Sequence, residues 1–199
     1  MNGCTADLGG QLREPPGPVP EFDGPDASMP LRPSGITADA LRDTMRDFAT
    51  GVAIVATYVE HTGIRVHDAV TVNSLTSLSL SPPLVSISLR RDSRFRADLE
   101  TSRVWSISIL DGESQWLAAY FARERIERAA ALGSVRTRPG PHTGALLFDA
   151  AGWLECVLER GYEVGDHTLF VGAVVGSGTH RKSSRLVFLR GGYHVLPSG

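Results

Sequence analysis

The stretch that decides the fold is VTVNSLTSLSLSPPLVSISL, residues 70–89. From Val70 to Thr76 the β-branched residues predict an extended segment. Ser77–Ser81 continues it to the stop Pro82-Pro83, because proline cannot donate to a ladder. Leu84–Leu89 then alternates Val85, Ile87 and Leu89 against Ser86 and Ser88, the period of a half-buried strand. An extended stretch, a proline stop and an alternating strand thus follow one another within twenty residues.

Working outward, the chain reads as one helix followed by many strands. Thr37 is placed as an N-cap, with Ile36 and Leu41 positioned to meet as a hydrophobic staple. Leu41, Met45 and Phe48 follow helical spacing, and Gly51 is placed to end that helix. Val52–Tyr58 reads as a strand, Glu60–Gly63 as a turn, and Ile64–Val66 as the next strand. Arg94–Thr101 predicts a short helix, Arg103–Leu110 a strand, and Glu113–Ile126 a helix with Trp116, Leu117, Tyr120 and Phe121 on one face. Arg138–Gly144 predicts a loop. Leu154–Leu158, Leu169–Val175 and Leu186–Leu189 complete the strands. Short strands without βαβ alternation favour a mainly β fold, a barrel or sandwich with flanking helices. The glycines of Gly176-Ser177-Gly178 lack the third glycine and the helix of a dinucleotide loop.

Composition narrows the function. The 199 residues are 42% hydrophobic and 21% charged, with a formal net charge of −2. Near neutrality argues against a nucleic-acid or membrane-surface binder. Residues 1–35 hold seven of the 12 prolines and a local charge of −3, so they read as a flexible arm. Residues 36–199 carry +1 and read as a single domain. Cys4 and Cys156 cannot build a disulfide framework, and no basic start with an apolar stretch marks a secretory leader. A cytoplasmic location is the expectation. The six histidines have no zinc-like spacing, and no Gly-x-Ser-x-Gly elbow occurs. Cys156 reads as a buried, inert thiol.

Three stretches carry candidate chemistry. The row Thr71, Asn73, Ser74, Thr76, Ser77, Ser79 and Ser81, interleaved with apolar residues such as Val72, sets hydroxyls and an amide beside backbone donors. It suits either a ligand rich in carbonyl, hydroxyl and phosphate groups or a polar-faced edge strand. Arg90, Arg91, Arg94 and Arg96 crowd seven residues, with Ser93 at an expected helix start. That is either a phosphate seat or a solvated charged loop. Asp166-His167 stands at a glycine-flanked strand entrance, where the carboxylate orients the ring or the turn simply faces solvent.

In order, RDFATGVAIVAT (46–57), VTVNSLTSLSLSPPLVSISL (70–89), RRDSR (90–94), RPGPHTGALLFDAAGWLECVLE (138–159), GDHTLFVGAVV (165–175) and RGGY (190–193) resemble the flavin reductase family over roughly residues 40–195. The resemblance implies an FMN-binding split barrel, acting as a homodimer. It implies an NAD(P)H:flavin oxidoreductase that reduces FAD or FMN and supplies a flavin-dependent monooxygenase, with NADH favoured over NADPH. The matching segment Thr71–Ser77 would line the flavin, and Ser79, Arg90, Ser93 and Arg94 its phosphate end. His167, Arg190 and Tyr193 would lie on the nicotinamide side. No acid or base is required, since hydride transfer rests on positioning. A non-catalytic flavin-binding module for storage or sensing, and an oxidase that retains its flavin, are the rival readings. Ala69 stands where many relatives carry glycine, and Ala173 where many carry glutamate.

Overall fold

The computed structural model describes residues 35–180 and 184–197, and Ala38–Gly199 forms one compact unit. The arm expected over residues 1–35, and Cys4 within it, fall almost wholly outside the described residues. In chain order the elements are helix α1 (Ala38–Met45), strands β1 (Thr50–Gly51), β2 (Ala53–His61), β3 (Ile64–Val72), β4 (Thr76–Leu80) and β5 (Pro83–Arg90), helix α2 (Arg94–Ser102), strand β6 (Val104–Ile109), a 3-10 turn (Gly112–Ser114), helices α3 (Gln115–Phe121) and α4 (Arg125–Leu132), and strands β7 (Thr137–Pro139), β8 (Leu146–Phe148), β9 (Gly152–Val164), β10 (His167–Thr179), β11 (Ser184–Leu189) and β12 (Gly192–Pro197).

Seven strands form one antiparallel sheet in the order β3-β2-β6-β9-β10-β5-β4, while β1-β11-β12 and β7-β8 form two smaller sheets. The edges of the large sheet are β3 and β4, which only Asn73–Leu75 separates in the chain. Four residue steps reach at most about 14 Å. The sheet must therefore curl until its two edges stand side by side. No ladder joins them, so the curl is left open at a seam spanned by three residues.

Two apolar clusters hold this shape. Ala53, Val55, Ile87, Phe95, Leu99, Trp105, Ile107 and Phe170 fill one. Val52, Ile54, Ala56, Ala69, Leu110, Phe121, Phe148 and Leu186 fill the other. Strand β2 feeds both, which explains its unbroken run of buried residues from Ala53 to Thr57. Gly172 has no Cβ because the Trp105 ring occupies that space. Ala69 is wholly buried in the second cluster.

Several boundaries differ from the sequence expectation. The first helix ends at Met45, and Gly51 is a strand residue paired with Val187 rather than a helix stop. Its apolar residues join no core: Leu41, Met45 and Phe48 are 57%, 51% and 63% exposed. The helix expected over Glu113–Ile126 is broken at Ala122–Glu124. The break fits the demands of Arg128, whose guanidinium donates to the Arg123 carbonyl at 2.7 Å and to both Asp68 oxygens at 3.2 and 2.9 Å. The Arg123 carbonyl, at the break, is open to this side chain. Trp116, expected on the buried face, is 57% exposed. The loop expected over Arg138–Gly144 begins in β7. Its Gly140–Ala145 turn closes on the buried Glu155 carboxylate, which accepts from the His142 and Thr143 amides and the Thr143 hydroxyl.

Candidate functional site

The seam opens on a cleft of about 1060 Å³. One wall is Val70–Ser74, a second is Ser88–Arg90 with Ser93, a third is His167 and Leu169 with Val164, and α1 adds Leu41, Arg42 and Met45. Two smaller recesses adjoin it through Asn73, which lines all three spaces. One, of about 160 Å³, is bounded by Thr71, Val72, Phe188 and Tyr193. The other, of about 210 Å³, is bounded by Arg42, Arg46, Thr50 and Phe188.

The hydroxyl row is used differently from its appearance in sequence. The Thr71 hydroxyl donates to the Ala118 carbonyl at 2.7 Å, tying β3 to α3. The Ser74 hydroxyl donates to the Ser88 carbonyl at 3.1 Å and accepts from the Ser88 amide at 3.0 Å. It thereby imitates a strand partner for β5 just where β4 has ended. Ser79 accepts from the Ser81 amide at 3.2 Å. These side chains brace the seam. The peptide groups of Asn73, Ser74 and Leu75 lie outside every strand and enter no backbone–backbone bond among the described residues. Of these, Asn73, with its exposed side-chain amide, and Ser74 line the cleft. Thr76 and Ser77 are exposed on edge strand β4, and they and Ser79 do not line the cleft.

The arginine cluster disperses. Arg90 alone of the four lines the cleft. Its guanidinium holds Asp92 at 3.1 and 2.6 Å, which raises the Arg90 pKa and lowers that of Asp92. Arg91 pairs with Glu163 at 3.0 Å, Arg94 with Asp98 at 3.1 Å, and Arg96 with Thr168 and Glu100 at 3.1 and 2.8 Å. Arg94, expected at the phosphate end, does not line the cleft and pairs with Asp98 on its own helix. Ser93 does cap α2, accepting from the Arg96 amide at 3.2 Å.

His167 arrives by register. Strand β10 runs antiparallel to β5 with His167 opposite Arg90, so two residues 77 apart in sequence become direct cross-strand neighbours on the cleft. The His167 ring nitrogen Nδ1 lies 2.7 Å from Asp166 Oδ1, and this contact holds the Asp166 carboxyl below the usual carboxylate range. Arg190 stays outside the cleft. With its backbone at φ 52°, it donates its amide to the Arg46 carbonyl at 2.8 Å and its Nε to Asp47 at 2.6 Å, clasping the end of α1. Tyr193 stacks edge-on to Phe188 with centroids 5.4 Å apart and lines the smaller recess. Burial raises its pKa. Sequence reasoning missed Arg42 and Ser88. Arg42 is legible only once the shortness of α1 is known, because it falls on the exposed side of the expected amphipathic helix.

A free main-chain segment, a guanidinium beside a capped helix start, and an Asp-oriented histidine suit a planar heterocycle carrying a phosphate. Residues 45–197 match the flavin reductase like domain. The chain belongs to the flavin reductase family. It is 34% identical over 164 residues to an NADH-dependent flavin reductase, StyB, of Pseudomonas fluorescens, covering 81% of this chain and 92% of that one. Among solved structures it resembles BorF, the flavin reductase component of a bacterial two-component tryptophan halogenase, at 32% identity and a TM-score of 0.73, covering 82% of this chain and all of that one. It also resembles the NADH:FAD oxidoreductase SgcE6 of Streptomyces globisporus, solved with NAD and FAD fragments, at 31% identity and a TM-score of 0.71 over 78% of this chain and 90% of that one. The architecture is the mainly β, open-barrel fold of these reductases.

Proposed function

We propose that this flavin reductase family member transfers hydride from NADH to FAD or FMN in the seam cleft and releases the reduced flavin to a partner monooxygenase. The observation that carries the reading is the convergence of Asn73, Ser74, Arg90, Ser93 and His167 on one cleft from elements far apart in sequence. The relatives named above, reductase components among them, support it.

When bound, the flavin and the nicotinamide would supply the hydride chemistry themselves. The chain supplies position. The peptide groups of Asn73 and Ser74 would hydrogen-bond the polar edge of the isoalloxazine and favour the negative charge that develops there. Arg90 and the Ser93-capped start of α2 take the phosphate. His167, its Nδ1 side held by Asp166, presents Nε2 to the nicotinamide or its ribose. A near-attack stack of about 3–3.5 Å between reacting atoms is the main source of rate. The cleft is open to solvent, which suits a flavin that must leave. No helix among the described residues is long and apolar enough to cross a membrane. We assign the protein to the cytoplasm and to a homodimer.

Steady-state turnover with NADH and excess free flavin tests the reading. Many cycles of 340 nm loss per protein are expected. Flavin binding with no turnover would replace the enzyme by a flavin carrier.

A further inference from the structure

Helix α1 has no buried residue, yet it forms part of the cleft wall. It brings Leu41, Arg42 and Met45 to the main cleft and Arg42 with Arg46 to the adjoining recess. The cleft therefore holds two guanidinium groups from unrelated elements, Arg42 of α1 and Arg90 of β5. Each is paired only with a carboxylate of its own segment, Arg42 with Asp39 and Arg90 with Asp92. These pairs are strongly exposed, with side-chain accessibilities of 62% and 84% for the first and 69% for both members of the second. Exposed pairs of this kind contribute little and exchange readily for a phosphate. Beside Arg42 the half-exposed Leu41 and Met45 offer an apolar surface. In the recess the Thr50 hydroxyl is buried with no hydrogen-bond partner among the described residues.

FMN carries one phosphate, which Arg90 and Ser93 suffice to seat. A second cation, an apolar platform and an unmet hydroxyl have no counterpart in FMN. They match an adenosine monophosphate extension. We infer that Arg42 is a specificity-determining residue that binds the adenylate half of FAD and makes FAD the preferred flavin over FMN. The inference rests on the flavin reductase reading above and adds the ligand to it.

The experiment compares wild type with Arg42→Ala, titrating FAD, FMN and riboflavin by fluorescence quenching and measuring KM for each flavin and for NADH. Since α1 buries nothing, the variant is expected to keep the wild-type unfolding curve, which is checked by circular dichroism. Loss of a charge-assisted contact is expected to weaken FAD about tenfold or more. FMN, riboflavin and the NADH KM should move less than about twofold. An equal loss for FAD and FMN, a change confined to NADH, or no change overturns the assignment. The binding titrations read Arg42 even if turnover is absent. Failure of hydride transfer in the wild type would overturn the enzymatic reading alone.

Discussion

Ser74 gives the sharpest test of how the seam works. Its hydroxyl makes two hydrogen bonds to Ser88, one to the carbonyl and one from the amide. Ser74→Ala removes both and leaves the β5 backbone unpaired at that point. Each such bond contributes about 0.5–1.5 kcal/mol net, and the site is only partly buried, so water replaces some of the loss. The expected cost is about 1–2 kcal/mol. For a folded unit of this size that lowers Tm by about 2–8 °C. The functional effect should be separable from the stability effect. The bonds fix one end of Asn73–Leu75, so flavin KM should rise about fivefold while the NADH KM stays near its original value. Thr101→Ala, which removes a hydroxyl bonded within α2 on an exposed face, serves as the control. Differential scanning calorimetry and steady-state kinetics read the two quantities. A lowered Tm with an unchanged flavin KM would show that Asn73–Leu75 is not the flavin platform. An unchanged Tm would show that the Ser74 bonds do not brace the seam.

Three further outcomes are expected. Arg128→Met leaves the buried Asp68 carboxylate with Arg125 at 3.8 Å and the Ala69 amide, and should cost about 2–4 kcal/mol by urea unfolding, while Asp68→Leu combined with Arg128→Met should recover part of that loss. His67 has a pKa lowered by burial and by Arg65, so the unfolded chain takes up its proton first. Its contribution is therefore present above its ordinary pKa of 6.5 and lost as pH falls through the lowered folded value; Tm scans across that window should flatten in His67→Phe. Burial pushes the Cys156 thiol up to about 12, so in a Cys4→Ser background a thiol reagent at pH 8 should react only after denaturant is added.

Most strands could be read from the sequence because alternation and turn residues are local signals. Val85, Ile87 and Leu89 against Ser86 and Ser88 is the plainest case: β5 spans Pro83–Arg90 and buries all three apolar residues, although it buries Ser86 as well. Long-range pairing was not available there. His167 and Arg90 meet only because β10 lies antiparallel to β5 in one register, and a slip of one residue would turn either side chain to the other face. The arginine cluster shows the complementary error. Four guanidinium groups crowd a short stretch, but Glu163, Asp98 and Glu100, all distant or on the helix that follows, claim three of them. The hydroxyl row marked the right wall for a partly different reason, since the Thr71 and Ser74 side chains bind protein and leave the main chain for the ligand. Helix α1 was the hardest element to read. Leu41 and Met45 have the spacing of a core face, and the described chain leaves them uncovered.

The seam also sets when the cleft can exist during synthesis. Strands β3 and β4 are neighbours in the chain, yet the sheet joins them only through β2, β6, β9, β10 and β5. A growing chain that has emerged as far as β5 holds two separate hairpins. The bridge between them is closed by β10, whose pairing with β5 spans some eighty residues. Loop-closure entropy for so distant a pairing must be met before the site is formed, which makes the cleft a late product of folding. A ligand that recognises this cleft consequently binds no partly made chain. Its binding free energy falls on the whole five-strand path between the two edges rather than on one local motif.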